Sequence, residues 1–259
     1  MNLIIFNTVN RPQIMFKAIR HSLGNAGADF VVSARNNGGG KANDHLLWEL
    51  AEIYPFAQLF SGPNIGNSYS LNTQLRAAEW MEWDYVAILG DDYEMPDNWL
   101  KDAISKMNEV RESGEEPGIC GWNGWMEKKG TFDEELNIWR SDWMPGCWLF
   151  PREVFDKCGY FIAFTNYGSW DSEFSVRVAR SGRVNFALEN CTEAKHKGTD
   201  VGNKTEYRLM KDKHLREANR RKGLYVKRVP AAYRNHLSFL NCRWERVKEL
   251  YADYLKLDE

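Results

Sequence analysis

Asp91 and Asp92 are the residues whose placement most demands a chemical explanation. They end the apolar, strand-like run Asp84-Tyr85-Val86-Ala87-Ile88-Leu89-Gly90, and Tyr93-Glu94-Met95-Pro96-Asp97 follows them. Two adjacent carboxylates repel each other unless a cation or a polyhydroxyl ligand lies between them, and α/β sheets bind ligands at the C-terminal ends of their strands. A solvated turn is the alternative reading. A second acidic position, Asp171 in Trp170-Asp171-Ser172-Glu173, falls at a helix start, where the helix dipole favours a carboxylate whether or not it has a chemical task. Trp122, Trp125, Trp143 and Trp148 have rings that could stack on a sugar or a base, although most tryptophans are core, so one or two of the four are expected to meet a ligand.

The elements that must position these residues alternate. Strand patterns at 3–6, 30–32, 57–60 and 84–89 are separated by helical patterns at 12–23, 43–53 and about 72–81, and a further helix opens after Pro96-Asp97 and runs to about 110. This order predicts an α/β fold with a mostly parallel central sheet flanked by helices, its polar loops collected at the strands' C-terminal ends. Those loops are Asn7-Thr8-Val9-Asn10-Arg11-Pro12, the glycine-containing Ser33-Ala34-Arg35-Asn36-Asn37-Gly38-Gly39-Gly40, and Gly62 to Asn72. No G-x-G-x-x-G follows the first strand and no G-x-x-x-x-G-K-[ST] occurs, which argues against dinucleotide-binding and P-loop readings. Beyond 110, strands are expected near 118–125, 147–150 and 185–188 and a helix from 171 to about 181, with 127–143 irregular. The remainder reads as two basic amphipathic helices, about 205–222 and 237–256.

With 259 residues, 43% of them hydrophobic, the chain can bury a full core as one large domain with an appendage. The sequence shows no apolar run approaching the roughly 18 residues of a membrane helix and no export signal at the first strand, so a cytoplasmic location is expected. Five scattered cysteines without a Cys-x-x-Cys suggest neither a disulfide framework nor a zinc site. The net charge of −2 is unevenly distributed: residues 1–194 hold 17 Lys and Arg against 27 Asp and Glu, whereas residues 195–248 hold 16 against 5. The basic segment suggests an anionic partner, or simply a solvated helix face.

In order along the chain, these pieces resemble the GT-A fold glycosyltransferases, and in particular their large family 2. Thr8-Val9-Asn10-Arg11 looks like that family's nucleotide-entry loop, and Asn64-x-Gly66 with Asn72 resembles its donor-site turn and helix. Gly90-Asp91-Asp92 before Met95-Pro96-Asp97 is similar to its variant of the D-x-D motif, with Gly90 in place of the first acid. Gly146-Cys147-Trp148, Gly159-Tyr160 and Trp170-Asp171 resemble the acceptor-side block that carries the base, and His196 with Gly198 resembles a later histidine that some members use as a metal ligand. The family's acid after the second strand has no counterpart in Arg35-Asn36-Asn37.

The resemblance covers about residues 1–200. It implies a donor half at 1–115, an acceptor half at 116–200 and a basic helical C-terminal segment at 201–259. It also implies a glycosyltransferase with a nucleotide-sugar donor, most simply a UDP-sugar, bound by Thr8, Asn10, Arg11, Asn36, Asn64, Asn72 and Asp91. Asp92 and His196 would hold Mn²⁺ or Mg²⁺. Asp171 would be the base of an inverting transfer, with Glu173 as a competing candidate, and Trp122, Trp125 and Trp148 would meet the acceptor. Two acceptors are open: a hydroxymethylated base of phage DNA, in host cytoplasm and favoured by the basic segment, or a bacterial polysaccharide or surface glycan. A sugar- or nucleotide-binding module without catalysis is the non-enzymatic alternative.

Overall fold

A computed structural model of the chain describes residues 1–122, 129–144, 146–162 and 170–197, with Leu209, Lys213, Arg216 and Glu217. Among these, β1 (Asn2–Thr8), β2 (Phe30–Asn37), β3 (Phe56–Gly62), β4 (Tyr85–Leu89), β6 (Pro117–Trp122), β7 (Thr131–Asp133), β8 (Ile138–Arg140), β9 (Cys147–Pro151) and β10 (Val184–Leu188) form one nine-stranded sheet. Its order is β3-β2-β1-β4-β9-β6-β10-β8-β7. The first four strands are parallel, β9 is inserted antiparallel between β4 and β6, and β10 runs parallel to β6. A mostly parallel core flanked by helices is thus the architecture that the alternation predicts.

Helices cover both faces because alternate strand residues are apolar on both sides. Ile4 and Phe6 of β1 join a core with Met15 and Ile19 of α1 (Pro12–Gly24), Leu47 and Leu50 of α2 (Gly40–Ile53), and Trp99 and Leu100 of α4 (Trp99–Glu112). Leu3 and Ile5 face the opposite core with Leu71 and Leu75 of α3 (Asn67–Ala77), Val154 and Phe155 of α5 (Glu153–Cys158), and Phe174 and Val178 of α6 (Trp170–Arg180). The chain leaves β1 toward β2 and β3, then returns to place β4 on β1's other side. That reversal makes the C-terminal ends of β1 and β4 the sheet's switch point, the position at which α/β sheets bind ligands.

Three local expectations need correction. The polar stretch 33–37 continues β2 as strand, because β3 supplies backbone partners as far as Gly62 and the side chains find polar partners. The segment expected to be irregular contains the β7–β8 hairpin, turned at Asn137 with φ 53°. A two-stranded ladder also pairs β5 (Tyr93–Glu94) with β11 (Lys195–His196), elements too short for a periodicity signal. Trp125 and nearly all of the basic segment 201–259 lie outside the described residues.

Candidate active site

The site is built at the switch point. Arg11 caps α1 in the left-handed conformation, φ 59° and ψ 52°, which a side chain with a Cβ adopts only at a cost. Its Nη2 donates to Asp92 Oδ2 at 2.9 Å and lies 3.7 Å from Asp91 Oδ1, so one guanidinium serves both carboxylates. The β5–β11 ladder sets Tyr93 opposite His196, and His196 Nε2 stands 3.1 Å from the same Asp92 oxygen. Lys197 N–H donates to the Asp92 carbonyl at 2.6 Å, which fixes the late segment onto the acidic turn. Ser22 of α1 holds that turn from below: its hydroxyl donates to the Tyr93 carbonyl at 2.8 Å and accepts from Met95 N–H at 3.1 Å.

Burial would push the Asp92 carboxyl up, but the hydrogen bond and charge of His196 and the charge of Arg11 outweigh it and hold Asp92 below the usual carboxylate range. Asp92 is therefore an anion at neutral pH. The neighbouring Cys147 thiol, which accepts Gly90 N–H at 3.2 Å, is pushed up to about 12, chiefly by burial. At neutral pH that keeps the thiol protonated, so it offers no thiolate nucleophile.

Two ligands at about 2.1 Å on adjacent corners of an octahedral ion stand about 3 Å apart, so the Asp92–His196 separation of 3.1 Å fits a shared divalent ion. Among the described residues no group of three His, Cys, Asp or Glu side chains forms a cage. A pair completed by phosphate oxygens and water is the usual manner of holding Mg²⁺ against a nucleotide.

Asp171 lies in the first turn of α6, its Oδ1 accepting from Ser172 N–H at 2.8 Å. Trp170 packs against Trp148 with ring centroids 5.2 Å apart, and Trp148 adjoins Cys147, which bonds the Gly90 backbone. These contacts set the start of α6 against β9, the antiparallel neighbour of β4. Trp143 bridges from the other side: its indole N–H donates to Ser172 Oγ at 3.0 Å, and Lys129 Nζ lies 5.1 Å above its half-buried ring.

Other expectations are redirected. Glu173 is no base: its side chain is 0% exposed and both oxygens accept from Arg177, at 2.8 and 2.7 Å. Trp122 and Trp148 are fully buried, one edge-on to Trp99 and the other among Phe150, Phe161 and Phe174, so both are core rather than acceptor surface. Asn72, also buried, pairs with the backbone of Phe161 through both ends of its amide. Asn36 shapes its own loop, donating to the Gly40 carbonyl and Asp44 and accepting from Gly39 N–H. Thr8 is buried and accepts from Asn43, whereas Asn10 is half-buried and Asn64 is exposed.

Arg35 is not among the site residues expected from the sequence. It is 9% exposed, and its one hydrogen bond among the described residues runs from Nε to Asn37 Oδ1 at 3.4 Å. Burial lowers its pKa, and among the described residues no carboxylate stands beside it to offset that. The missed signal is a lone arginine in a strand whose neighbours are all neutral.

Compared with protein-family models, the sequence matches none, and a comparison with curated proteins also finds no match. Solved structures do match. The mannosyltransferase PcManGT from Pyrobaculum calidifontis, in complex with GDP-Man and Mn²⁺, superimposes with a TM-score of 0.59 at 16% identity, over 97% of this chain and 73% of that one. S. aureus TarS 1-349 in complex with UDP-GlcNAc gives 0.56 at 15% identity, over 73% of this chain and 56% of that one. The chain thus spans little more than half of that TarS fragment. At such identities the likeness establishes the fold, which is the GT-A α/β fold.

Proposed function

We propose that this GT-A-fold chain is a metal-dependent, inverting glycosyltransferase that moves a sugar from a nucleoside diphosphate sugar to an acceptor hydroxyl. The observation that carries the reading is the convergence of Arg11 and His196 on Asp92, beside Asp91, at the switch point of the sheet. The named structural neighbours are a mannosyltransferase bound to GDP-Man and Mn²⁺ and a protein bound to UDP-GlcNAc, which supports the same donor class here.

Asp92 and His196 would hold Mn²⁺ or Mg²⁺, whose Lewis acidity stabilises the charge that grows on a departing diphosphate. Arg11 adds a permanent positive charge at the same place, preorganised by its fixed backbone. Asp91, Asn10 and Asn64 are assigned to the donor. Asp171 takes the proton of the acceptor hydroxyl as that oxygen bonds to the anomeric carbon. The bond from this carbon to the diphosphate oxygen breaks in the same step and its electron pair leaves with the diphosphate, so the anomeric centre inverts. Trp143, the partly exposed ring beside α6, is assigned to the acceptor side, with residues 1–115 as the donor half and 116–200 as the acceptor half.

For the acceptor we assign a hydroxymethylated base of duplex DNA, on the strength of the basic segment 195–248, since phosphate neutralisation by Lys and Arg dominates DNA affinity. Such a reaction belongs in the cytoplasm, and among the described residues no helix is long and apolar enough to cross a membrane. The test is nucleotide release with Mn²⁺ from a panel of nucleotide sugars, with and without hydroxymethylated duplex DNA. Stimulation by DNA supports both assignments. Release without stimulation keeps the glycosyltransferase and turns the search to glycans, and no release from any donor leaves a binding module.

A further inference from the structure

Among the described residues, the buried arginines Arg177 and Arg183 each have an acid partner, whereas Arg35 has none. Arg177 has Glu173 at 2.7 Å and Arg183 has Glu116 at 3.4 Å. Arg35 has only an amide oxygen at 3.4 Å, which is a weak partner for a guanidinium with five N–H donors and no acceptor. Its Nη nitrogens are not among the fully enclosed polar atoms that lack a partner, so they stay open to a hydrogen-bond acceptor that arrives from outside.

Its surroundings say where that partner would lie. Arg35 stands opposite Asn7 on β1 and Phe60 on β3, near the C-terminal end of β2. Strand alternation puts it on the side of Ser33 and Asn37, toward α3. There Ser33 bonds Gln74, and Asn37 binds the turn before α3 through Asn64 Oδ1, Ile65 N–H and the Gly66 carbonyl. The amides on this side are thus engaged with one another, and among the described residues here the side chain with unused donors is Arg35. Gly62, the last residue of β3, leaves it room: a methyl group there would come within 3.1 Å of Arg35 Nη2. Strands lie about 4.8 Å apart, so the end of β2 is about 10 Å across the edge from that of β4, which carries Asp91 and Asp92. A ribose with its base covers that span.

We propose that Arg35 is a specificity-determining residue that donates to the keto oxygen of the donor's nucleobase, so that the site takes uracil, thymine or guanine nucleotides in preference to adenine or cytosine. This rests on the nucleotide-sugar reading above. The discrimination is chemical. A guanidinium can only donate, O4 of uracil or O6 and N7 of guanine can only accept, and the exocyclic amino groups of adenine and cytosine would set donor against donor.

The test is calorimetric titration of the full chain with UDP, dTDP, GDP, CDP and ADP in the presence of Mn²⁺. At least one keto-base nucleotide is expected to bind about 10- to 100-fold more tightly than CDP and ADP, the range for a well-formed bidentate contact. Arg35→Met is expected to compress that ratio to within about 3-fold, leaving the affinity that comes from the diphosphate. Its ligand-free melting temperature is expected to hold, since the only side-chain bond removed is the long one to Asn37 Oδ1 at 3.4 Å. Gly62→Ala, which crowds the guanidinium without removing it, is expected to lower the ratio as well. Equal affinities in the unaltered chain, or a ratio unmoved in both variants, would overturn the assignment while leaving the glycosyltransferase reading standing. A marked fall in ligand-free stability of Arg35→Met would make Arg35 structural and overturn it too. Failure of every nucleotide to bind would remove the glycosyltransferase reading along with it.

Discussion

Glu173→Gln separates a structural from a catalytic reading of the first turn of α6. Arg177 is 0% exposed; beyond its two bonds to Glu173 it donates to the carbonyls of Cys158 and Tyr160 and lies 5.0 Å from the Phe174 ring. The pair therefore ties α6 to the chain that leaves α5. Breaking a buried ion pair by neutralising one partner costs about 3–5 kcal/mol, because the surviving charge stays desolvated. Gln keeps an acceptor for Arg177, and the two carbonyls remain, so the lower end, about 3 kcal/mol, is expected. At about 2–4 °C per kcal/mol for a chain of this size, the midpoint of thermal unfolding should fall by about 6–12 °C. Circular dichroism follows the unfolding, and nucleotide release well below the new midpoint should stay within a few-fold of the unaltered chain. Glu173→Leu with Arg177→Met should recover most of the lost stability, as apolar replacements of buried pairs do. An unchanged midpoint together with a turnover loss of about 100-fold or more would refute the argument and return Glu173 to the base position.

Asp171→Asn should lower turnover by about 10²- to 10⁴-fold while nucleotide affinity, measured by calorimetry, stays as it was; undiminished turnover would remove Asp171 from the mechanism. Asp92 titrates below the ordinary carboxylate range in the folded state, so its contribution to stability is present above the unfolded value near 3.9 and is lost as pH falls through the folded one. The stability gap between the unaltered chain and Asp92→Asn should accordingly hold between about pH 5 and 4 and close below, as denaturant titrations at each pH would record; a gap that widens on acidification would contradict the sign. Gly39→Ala would press a methyl group to within 2.5 Å of the Val9 carbonyl and against the Asn43 amide that bonds Thr8. It should cost about 1–3 kcal/mol and loosen the entry loop, and a midpoint in urea equal to that of the unaltered chain would show the loop to be more yielding than its packing implies.

What could be read from the chain followed from period and punctuation. The parallel β1 to β4 core was legible because those strands are apolar on both faces and alternate with helices of core-facing period. Asp91 and Asp92 were legible because acids do not end a buried strand without a reason. The β5–β11 ladder was not, since two residues carry no period, although it is what fixes His196 beside Asp92. The tryptophans misled for a related reason: Trp122 and Trp148 sit in strands buried on both faces, where alternation does not say which side a ligand takes. Asn36 and Asn72 sat at positions suggested by the family pattern, but their amides satisfy backbone groups that local sequence does not reveal. Glu173 and Arg177, four residues apart on a helix, had the spacing of an ion pair, and only their burial distinguishes that from a base.

The departure at Gly90 carries a consequence for the metal. A side chain there would meet the Tyr93 ring at 2.8 Å, and that ring packs against His196 with centroids 4.9 Å apart. The space that the first acid of a full D-x-D would take is therefore given to the aromatic support of His196, and in the metal site proposed above Asp92 and His196 would be the protein's two ligands. Two protein ligands leave most of an octahedral shell to be filled by water or by diphosphate oxygens. Arg11, already bonded to Asp92 Oδ2, competes for the same carboxylate until another anion draws it away. Mn²⁺ should consequently bind weakly alone and more tightly once a nucleoside diphosphate is present, and linkage requires the nucleotide's affinity to rise with Mn²⁺ by the same factor, about 5- to 150-fold for a typical coupling. Calorimetric titrations in both orders measure the two factors independently. Equal Mn²⁺ affinity with and without nucleotide would mean that the protein completes the ion's shell by itself, and the two-ligand account of this site would fall.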